Sequence, residues 1–268
     1  MTSPVVRVEL AGPVARVLID RANAMNSLSP EVLEGLRGAI ATATEANCAV
    51  LVLRGAGGTL SAGADLKYLQ RITSGPDSTA QVEKYLIEVG GMIDSLEAAP
   101  FVTIAVVEGY ALAGGCEILL GCDLAVVADD AKIGDRHLEY GLLPGAGGSV
   151  RLPRALPAAL TRRLLYTGEM ISGRTAFEWG LVSHSTPGVE LETTLDELVA
   201  RLSRHSVGAL HSMKRLYRAS KETSVAEALV NERAVLIDHL GGPAVAEGLA
   251  AFGSGRKPDF GTGGTKHE

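Results

Sequence analysis

Short continuous runs of apolar residues alternate along the chain with longer stretches in which apolar residues recur at helical spacing. Two β-rich segments at 5–10 and 14–19 flank a Gly-Pro pair, which predicts a β-hairpin. Three further apolar runs, at 49–55, 101–107 and 123–128, lack polar alternation and are typical of strands covered on both faces. Because glycine loops and helical stripes separate these runs, the pattern predicts an α/β domain built from strand–loop–helix turns.

The strand signals fade after residue 190. Two apolar stripes at helical spacing follow, from Leu195 to Leu202 and from Val225 to Leu240. Helices so few cannot enclose a core of their own, so we expect them to pack on the preceding domain or on another subunit. The chain is therefore divided into a core at 1–190 and a C-terminal helical region at 191–268.

The composition is that of an ordinary globular protein of 268 residues, with 46% hydrophobic and 21% charged residues. A net charge of −6 argues against nucleic acid as a partner, because phosphate binding requires a basic face. The sequence shows no signal peptide and no apolar run of about 18 residues, so we expect no membrane partner. Its three cysteines form no CxxC pair and fit reduced thiols, which favours a cytoplasmic location.

Two glycine-rich loops, at 55–64 and 111–115, each follow a predicted buried strand, where α/β folds place their ligands. Neither loop matches a nucleotide motif: the G-x-G-x-x-G pattern fails at Leu60, and no G-x-x-x-x-G-K-[ST] sequence occurs. A nucleophile elbow around Ser61 is also excluded, since it requires glycine where the chain has Thr59. Known phosphate and serine-nucleophile motifs therefore do not account for the loops.

Taken together, the two loops predict an oxyanion hole. Each loop places free backbone N–H groups at the start of a helix, and two such donors converging on one oxygen contribute roughly 3–4 kcal/mol each to a transition state. Glu117, three residues after Gly114, lies close enough to share a site with these donors. The alternative is that the glycines serve only tight turns.

The most specific signal comes from six segments that occur in order over almost the whole chain. They are DRANAMNSLSPEV (20–32), LSAGADLKYL (60–69), GYALAGGCEILLGCD (109–123), GLLPGAGGSVRLPR (141–154), LLYTGEMISGRTAFEWGLV (164–182) and AFGSGRKPDF (251–260). In this order they resemble the crotonase superfamily, the enoyl-CoA hydratase/isomerase proteins. The resemblance implies a crotonase-like α/β fold, a spiral of ββα turns that binds acyl-CoA, with a C-terminal helical region that assembles trimers, often paired as hexamers.

The resemblance also implies the substrate and the donors that hold it. The substrate is an acyl-CoA thioester, whose enolate is stabilised by two backbone N–H groups. Carried over residue by residue, these belong to Ala64, after SAG, and to Gly114, in AGGCE. Coenzyme A is then part of the substrate, and neither a separate cofactor nor a metal ion is expected. Around the first donor, the CoA-binding side is expected to be lined by Ala62, Asp65, Leu66 and Lys67.

Two acid/base positions follow from the same resemblance. Glu117 matches one of the two glutamates that hydratases use on water, and the apolar residues after it predict a partly dry pocket that raises its pKa. The second glutamate lies in the segment that corresponds to GDRHLEYGLLPGAGG, where the usual PE pair is RH, so its position is taken by His137. An imidazole also serves as an acid or a base near pH 7, and its ionised form is cationic.

Other ionisable groups surround His137. Glu139, two residues on, would reach the pocket if the loop shifted its register, because residues i and i+2 share a face on a strand. Asp135 and Arg136 are expected to form a solvated or subunit-facing pair. The alternative for His137 itself is a hydrogen-bonded loop residue without a catalytic role.

Three functions are compatible with these residues. The first is a hydratase-type lyase of fatty acid metabolism that adds water to a 2-enoyl-CoA, with Glu117 deprotonating the water and His137 or the same water protonating the α carbon. The second is another reaction through the same enolate: double-bond isomerisation, dehydration of an unusual acyl-CoA or thioester hydrolysis. The third is a non-catalytic scaffold for acyl-CoA or RNA, which the acidic balance and the 4% aromatic content oppose. The expected assembly is a homotrimer or homohexamer.

Overall fold

The computed structural model describes residues 4–75 and 77–261. Its strands are β1 (Val6–Ala11), β2 (Val14–Ile19), β3 (Val50–Gly55), β4 (Val102–Val107), β5 (Tyr110–Leu112), β6 (Leu124–Ala128), β7 (Lys132–Gly134), β8 (Ile171–Ser172) and β9 (His184–Thr186). Its α-helices are α1 (Pro30–Glu45), α2 (Leu66–Thr73), α3 (Ser78–Ala98), α4 (Gly114–Gly121), α5 (Gly148–Ala155), α6 (Ala158–Thr167), α7 (Gly173–Glu178), α8 (Leu191–Leu202), α9 (Val207–Glu222), α10 (Val225–Leu240) and α11 (Pro243–Gly253). This alternation of strands and helices confirms the predicted α/β class.

Six strands form one sheet in the order β1-β2-β3-β4-β6-β9. β1 and β2 make the predicted antiparallel hairpin around Gly12, whose φ of 55° lies in the left-handed region that suits glycine. The remaining neighbours in this sheet run parallel. Because parallel strands share one direction, the loops after β3 and β4 leave the sheet at the same edge. The first glycine-rich loop directly follows β3, and the second is reached after β4 through the short strand β5.

A second sheet joins three very short strands in the order β5-β7-β8. β5 and β7 are parallel, with Tyr110 opposite Lys132 and Leu112 opposite Gly134. None of these strands was predicted, since runs of two or three residues carry no detectable alternation. They matter for the site, because β5 leads into α4 and β7 leads into the segment that contains His137.

The parallel strands are buried on both faces, as their continuous apolar sequences predict. One face belongs to the larger core cluster, which includes Leu33 of α1, Met92 of α3 and Ile118 of α4. The other face packs against α8 through Leu191 and Leu195. The sheet is thereby held rigidly between layers, and the edge that carries the glycine loops has a fixed geometry.

The C-terminal region is helical, as predicted, and α9 is tied to the core by Lys214. The ammonium group of Lys214 is buried, pairs with Asp123 at 2.7 Å and donates to the carbonyl oxygens of Leu96 and Phe101. α10, in contrast, buries none of its residues within the single chain. The roles of 1–190 in acyl-CoA binding and of 191–268 in oligomerisation stay predictions, and residues 262–268 lie outside the described residues. Within the described part of the chain, no helix combines the length and apolar character needed to cross a membrane.

Candidate active site

The first glycine-rich loop is fastened to the preceding segment by the side chain of Asn26. This residue is fully buried, and its Nδ2 donates to the carbonyl oxygens of Ala56 at 2.9 Å and Thr59 at 2.5 Å. The amide of Ala62 donates to the carbonyl of Met25 at 2.9 Å. Asn26 carries no local sequence signal for this role, because the two carbonyl groups that its Nδ2 contacts are about thirty positions away. These bonds fix the backbone immediately before Ala64.

Asp65 begins the helix that follows this loop. One of its carboxylate oxygens accepts from the amides of Lys67 and Tyr68, both at 3.1 Å, and the other pairs with Arg21 at 2.7 Å. Burial acts to raise the pKa of Asp65, but the two amides and the Arg21 guanidinium outweigh it and lower the pKa. Both carboxylate oxygens are thus engaged in holding α2 against the domain, just after Ala64.

The other residues expected on the CoA-binding side differ in exposure. Leu66 and Lys67 are exposed in the first turn of α2, whereas Ala62 and Ala64 are half-buried. An exposed lysine at this place is free to approach an anionic group from solvent. The assignment of these four residues and of Asp65 to coenzyme A stays a prediction.

The second glycine-rich loop turns sharply before α4. Ala113 has φ 48° and ψ −117°, a backbone conformation that costs a residue with a Cβ roughly 1–3 kcal/mol. Its amide donates to the carbonyl of Gly134 at 2.9 Å, and its carbonyl accepts from the amide of Glu117 at 3.0 Å. The strained turn is held from both sides, and it sets the direction in which the next amide, that of Gly114, points.

The two loops lie in direct contact. The amide of Leu112 donates to the carbonyl of Ser61 at 3.0 Å, and a Cβ on Gly63 would lie 2.8 Å from the amide nitrogen of Gly114. Among the hydrogen bonds of the described residues, none uses the amide of Ala64 or that of Gly114. The structure therefore brings the loops of the two predicted oxyanion donors into contact, and neither N–H has an acceptor among the described residues.

Glu117 is buried in the first turn of α4, at 2% exposure. Its Oε1 accepts from the amides of Ala146 at 2.9 Å and Gly148 at 2.8 Å, which belong to the third glycine-rich segment. Burial raises the pKa of Glu117, although the Gly148 amide and the charge of His137 act in the opposite direction. The two amides tie down one oxygen, which leaves Oε2 as the oxygen that is available for proton transfer.

His137 lies on the other side of this oxygen. Its Nε2 is 4.0 Å from Oε2 of Glu117, and its Nδ1 is 3.0 Å from Oδ1 of Asp135. Burial acts to lower the pKa of His137, but the hydrogen bond to Asp135 and the negative charges of Asp135 and Glu117 outweigh it and raise the pKa above its usual value. Both imidazole nitrogens therefore face carboxylates, whose negative charge stabilises the protonated form of the ring.

The prediction that Asp135 is solvated or faces another subunit is wrong. Asp135 is 2% exposed and its Oδ1 is bonded to His137. The residue follows β7, and this strand is buried between β5 and β8, so the side chain enters the interior. The i, i+2 spacing of Asp135 and His137 was the available signal, since such residues share a face of an extended segment.

Arg136 and Glu139 point elsewhere. Arg136 pairs with Glu139 at 3.6 Å and lies near the carbonyl of Gly168 at 3.4 Å, at the end of α6. The carboxylate of Glu139 is close to the same glycine. The structure thus brings His137, and not Glu139, to Glu117.

Arg151 supports the loop that holds Glu117, and sequence reasoning missed it. Its guanidinium donates to the carbonyl of Ala146 at 2.9 Å and pairs with Glu97 and Asp94 on α3, at 2.9 and 2.6 Å. Gly147 makes room for it, because a Cβ there would lie 1.9 Å from the guanidinium. In the described residues, no group of three or more His, Cys, Asp or Glu side chains is arranged to hold a metal ion.

Comparisons with known proteins identify the family of the chain. The family model described as enoyl-CoA hydratase/isomerase matches residues 9–263. The chain is 33% identical to “Probable enoyl-CoA hydratase echA8” of Mycobacterium bovis, over 97% of this chain and 99% of that protein. It is 32% identical to “Enoyl-CoA isomerase/hydratase fer4” of Mycosarcoma maydis, over 94% of this chain and 93% of that protein.

A solved structure shows the same fold. The crystal structure of an enoyl-CoA hydratase of Mycobacterium smegmatis superposes with a TM-score of 0.91 at 27% identity, covering 96% of this chain and 99% of that chain. This likeness confirms the crotonase-like fold that the six segments predicted. The chain belongs to the enoyl-CoA hydratase/isomerase family of the crotonase superfamily.

Proposed function

We propose that this protein is an enoyl-CoA hydratase-type lyase that adds water to a 2-enoyl-CoA, with Glu117 as the base and the His137 imidazolium as the acid. The observation that carries the proposal is the facing pair of Glu117 Oε2 and His137 Nε2, 4.0 Å apart. One water bonded to both atoms at about 2.8 Å would have an angle of about 90° between its two hydrogen bonds, which is geometrically acceptable. A buried carboxylate and a largely buried imidazolium would therefore flank a place suited to water.

The backbone donors supply the other half of the reaction. The thioester oxygen of the substrate is held by the free amides of Ala64 and Gly114, which lie in touching loops. As negative charge develops on that oxygen, fixed N–H dipoles stabilise it without reorganisation. We assign the acyl chain to an open groove of about 580 Å³ along α3, which has Val82 and Leu86 among its apolar residues. The groove extends to Gly145, next to the Ala146 amide that bonds Glu117.

The protons balance in this scheme. Glu117 Oε2 takes a proton from water as the water oxygen bonds to the β carbon, and the double-bond electrons move into the thioester to form the enolate. His137 Nε2 then gives its proton to the α carbon, and the enolate collapses to the 3-hydroxyacyl thioester. Glu117 is left protonated and the imidazole neutral. A proton relayed from Oε2 to Nε2 through the next water restores both groups.

The test is turnover of crotonyl-CoA in labelled water by the wild-type protein and three variants. We expect wild-type 3-hydroxybutyryl-CoA to carry one ¹⁸O from H₂¹⁸O, and Glu117→Gln and His137→Gln each to lower kcat by about 100-fold or more, within the range that acid–base groups contribute. Glu139→Gln is the matched control, because this neighbouring carboxylate faces Arg136, and its kcat should stay within twofold. Shift of a 3-enoyl-CoA double bond without incorporation of label would show an isomerase instead and overturn the proposal.

The pH dependence follows from the two pKa directions. Activity requires ionised Glu117 and protonated His137, so kcat should rise as pH increases through the raised pKa of Glu117. It should fall as pH increases through the raised pKa of His137, above the usual 6.5. A profile in which kcat increases through the His137 transition would mean that neutral imidazole is the active form, contrary to the assigned role.

A further inference from the structure

We propose that Asp135 is a positioning residue that keeps His137 protonated and holds its Nε2–H toward the place of proton transfer. This inference rests on the proposed function, because it explains how His137 serves there as an acid. Asp135 acts mainly through the imidazole, to which its Oδ1 is bonded, although its charge also contributes to the raised pKa of Glu117.

The geometry fixes the ring from one side. Oδ1 of Asp135 lies 3.0 Å from Nδ1 of His137 and 3.4 Å from the backbone nitrogen of the same residue. The same oxygen thus constrains the ring and the turn that carries it. With Nδ1–H donating to Asp135, only Nε2 is left to exchange a proton with the pocket. A carboxylate on Nδ1 of a catalytic histidine selects the tautomer and orientation in this way.

The segment that carries Asp135 is itself part of the site. Asp135 directly follows β7, which pairs in parallel with β5, and β5 leads to the strained turn at Ala113. The amide of Ala113 donates to Gly134, the residue just before Asp135. The acid and one oxyanion donor are therefore set by the same short sheet, which fixes their relative position.

The surrounding charges favour an imidazolium. From α4 the ring faces Glu117, and from its own segment it faces Asp135. The nearby Cys116 thiol stays neutral, because burial raises its pKa. Arg136 pairs with Glu139 at 3.6 Å.

The two carboxylates that face the ring gain from a cation between them. Oδ2 of Asp135 is buried and has no hydrogen-bond partner among the described residues. An unsatisfied buried group of this kind costs roughly 1–3 kcal/mol, and more when charged. The charged ring offsets that cost. Replacing the carboxylate at position 135 with an amide would remove the main negative charge that stabilises the imidazolium.

The test compares Asp135→Asn with Glu139→Gln, two carboxylate-to-amide changes that lie two residues on either side of His137. In ¹⁵N-histidine-labelled protein without substrate, His137 is identified by its loss in His137→Gln. We expect a protonated ring at pH 7 in the wild type and in Glu139→Gln, and a neutral ring in Asp135→Asn. In crotonyl-CoA hydration, Asp135→Asn should move the alkaline limb of kcat to lower pH and reduce kcat at pH 8 by about tenfold or more, with KM nearly unchanged.

A double variant separates positioning from general damage. Since Asp135 acts mainly through the imidazole, adding Asp135→Asn to His137→Gln should cause little further loss of kcat at pH 8, where Glu117 is ionised in either background. A His137 resonance that titrates alike in Asp135→Asn and wild type, or a further large loss in the double variant, would overturn the inference. If the resonances shift as expected while His137→Gln keeps wild-type hydration, the proposed function fails in its acid, whereas the hold of Asp135 on the ring stands.

Discussion

Gly115 is the position at which the contact between the two oxyanion loops is tightest. A Cβ at this residue would lie 2.0 Å from the carbonyl oxygen of Ser61 and 2.7 Å from its carbon. That oxygen also accepts the hydrogen bond from Leu112 that joins the loops. Gly115→Ala must therefore push the loops apart by about 1 Å before the closest contact becomes acceptable.

The expected effect is larger on catalysis than on stability. A displacement of about 1 Å at a reacting group costs roughly 100-fold in rate, because the two N–H donors no longer converge on one oxygen. Overpacking costs about 1–3 kcal/mol of folding free energy, and alanine returns up to about 1 kcal/mol through its helix propensity. We expect kcat for crotonyl-CoA to fall about 100-fold and the melting temperature to fall by several degrees.

Two further glycines calibrate this result. Gly114→Ala keeps the amide and meets its nearest neighbours at 3.1 Å, so the loops have to yield by only a few tenths of an ångström and the loss of kcat should be intermediate. Gly38→Ala, at an exposed position within α1, meets nothing within 4 Å and should leave kcat unchanged while raising the melting temperature. If Gly115→Ala turned over crotonyl-CoA like Gly38→Ala, the touching loops would not be what positions the donors.

Three other predictions concern stability and are checked by thermal unfolding. Lys214→Met removes one partner of a buried ion pair and should lower the free energy of unfolding by about 3–5 kcal/mol. Arg215→Met, at an exposed position on the same helix, should change it little, and equal effects of the two variants would contradict the anchoring role of Lys214. The pKa of Glu117 is raised in the folded state, so its contribution to the free energy of unfolding is complete below the unfolded-state pKa and is lost as pH rises through the folded-state pKa. Glu117→Gln should therefore be more stable than wild type at pH 8, and the difference should shrink toward pH 4. Ala113→Gly relieves a positive-φ backbone that costs roughly 1–3 kcal/mol, while glycine adds about 1 kcal/mol of chain entropy to the unfolded state, so the melting temperature should not fall. A lowered melting temperature would mean that the turn is not strained.

The parts of the fold that sequence predicts are those set by local patterns. The β1–β2 hairpin and the continuous apolar strands both follow from residues near each other in the chain. The strands β5, β7 and β8 were missed because two or three residues have no periodicity, and what defines them is their pairing across the fold. Their absence from the prediction matters, since they position α4 and Asp135.

The site divides in the same way. Motif resemblance placed Glu117, His137 and the two backbone donors, and the structure brings the first pair within 4.0 Å and the donor loops into contact. The resemblance did not predict that Asp135 is buried, because its burial depends on how β7 packs between its neighbours. The role of Arg151 could not be predicted either, since its partners on α3 lie more than fifty residues earlier in the chain.

Several unfavourable local arrangements coincide in this one region. Ala113 has a left-handed backbone, Glu117 is a buried carboxylate with a raised pKa, and Asp135 has a buried oxygen without a hydrogen-bond partner among the described residues. Each lowers stability by an amount that the core on both faces of the parallel strands offsets. Under the proposed function each has a chemical use: an aimed amide, a base with a raised pKa and a retained imidazolium. Substitutions that relieve these features should therefore gain stability and lose turnover together, the pattern expected when strain and charge are kept at a site because the reaction needs them.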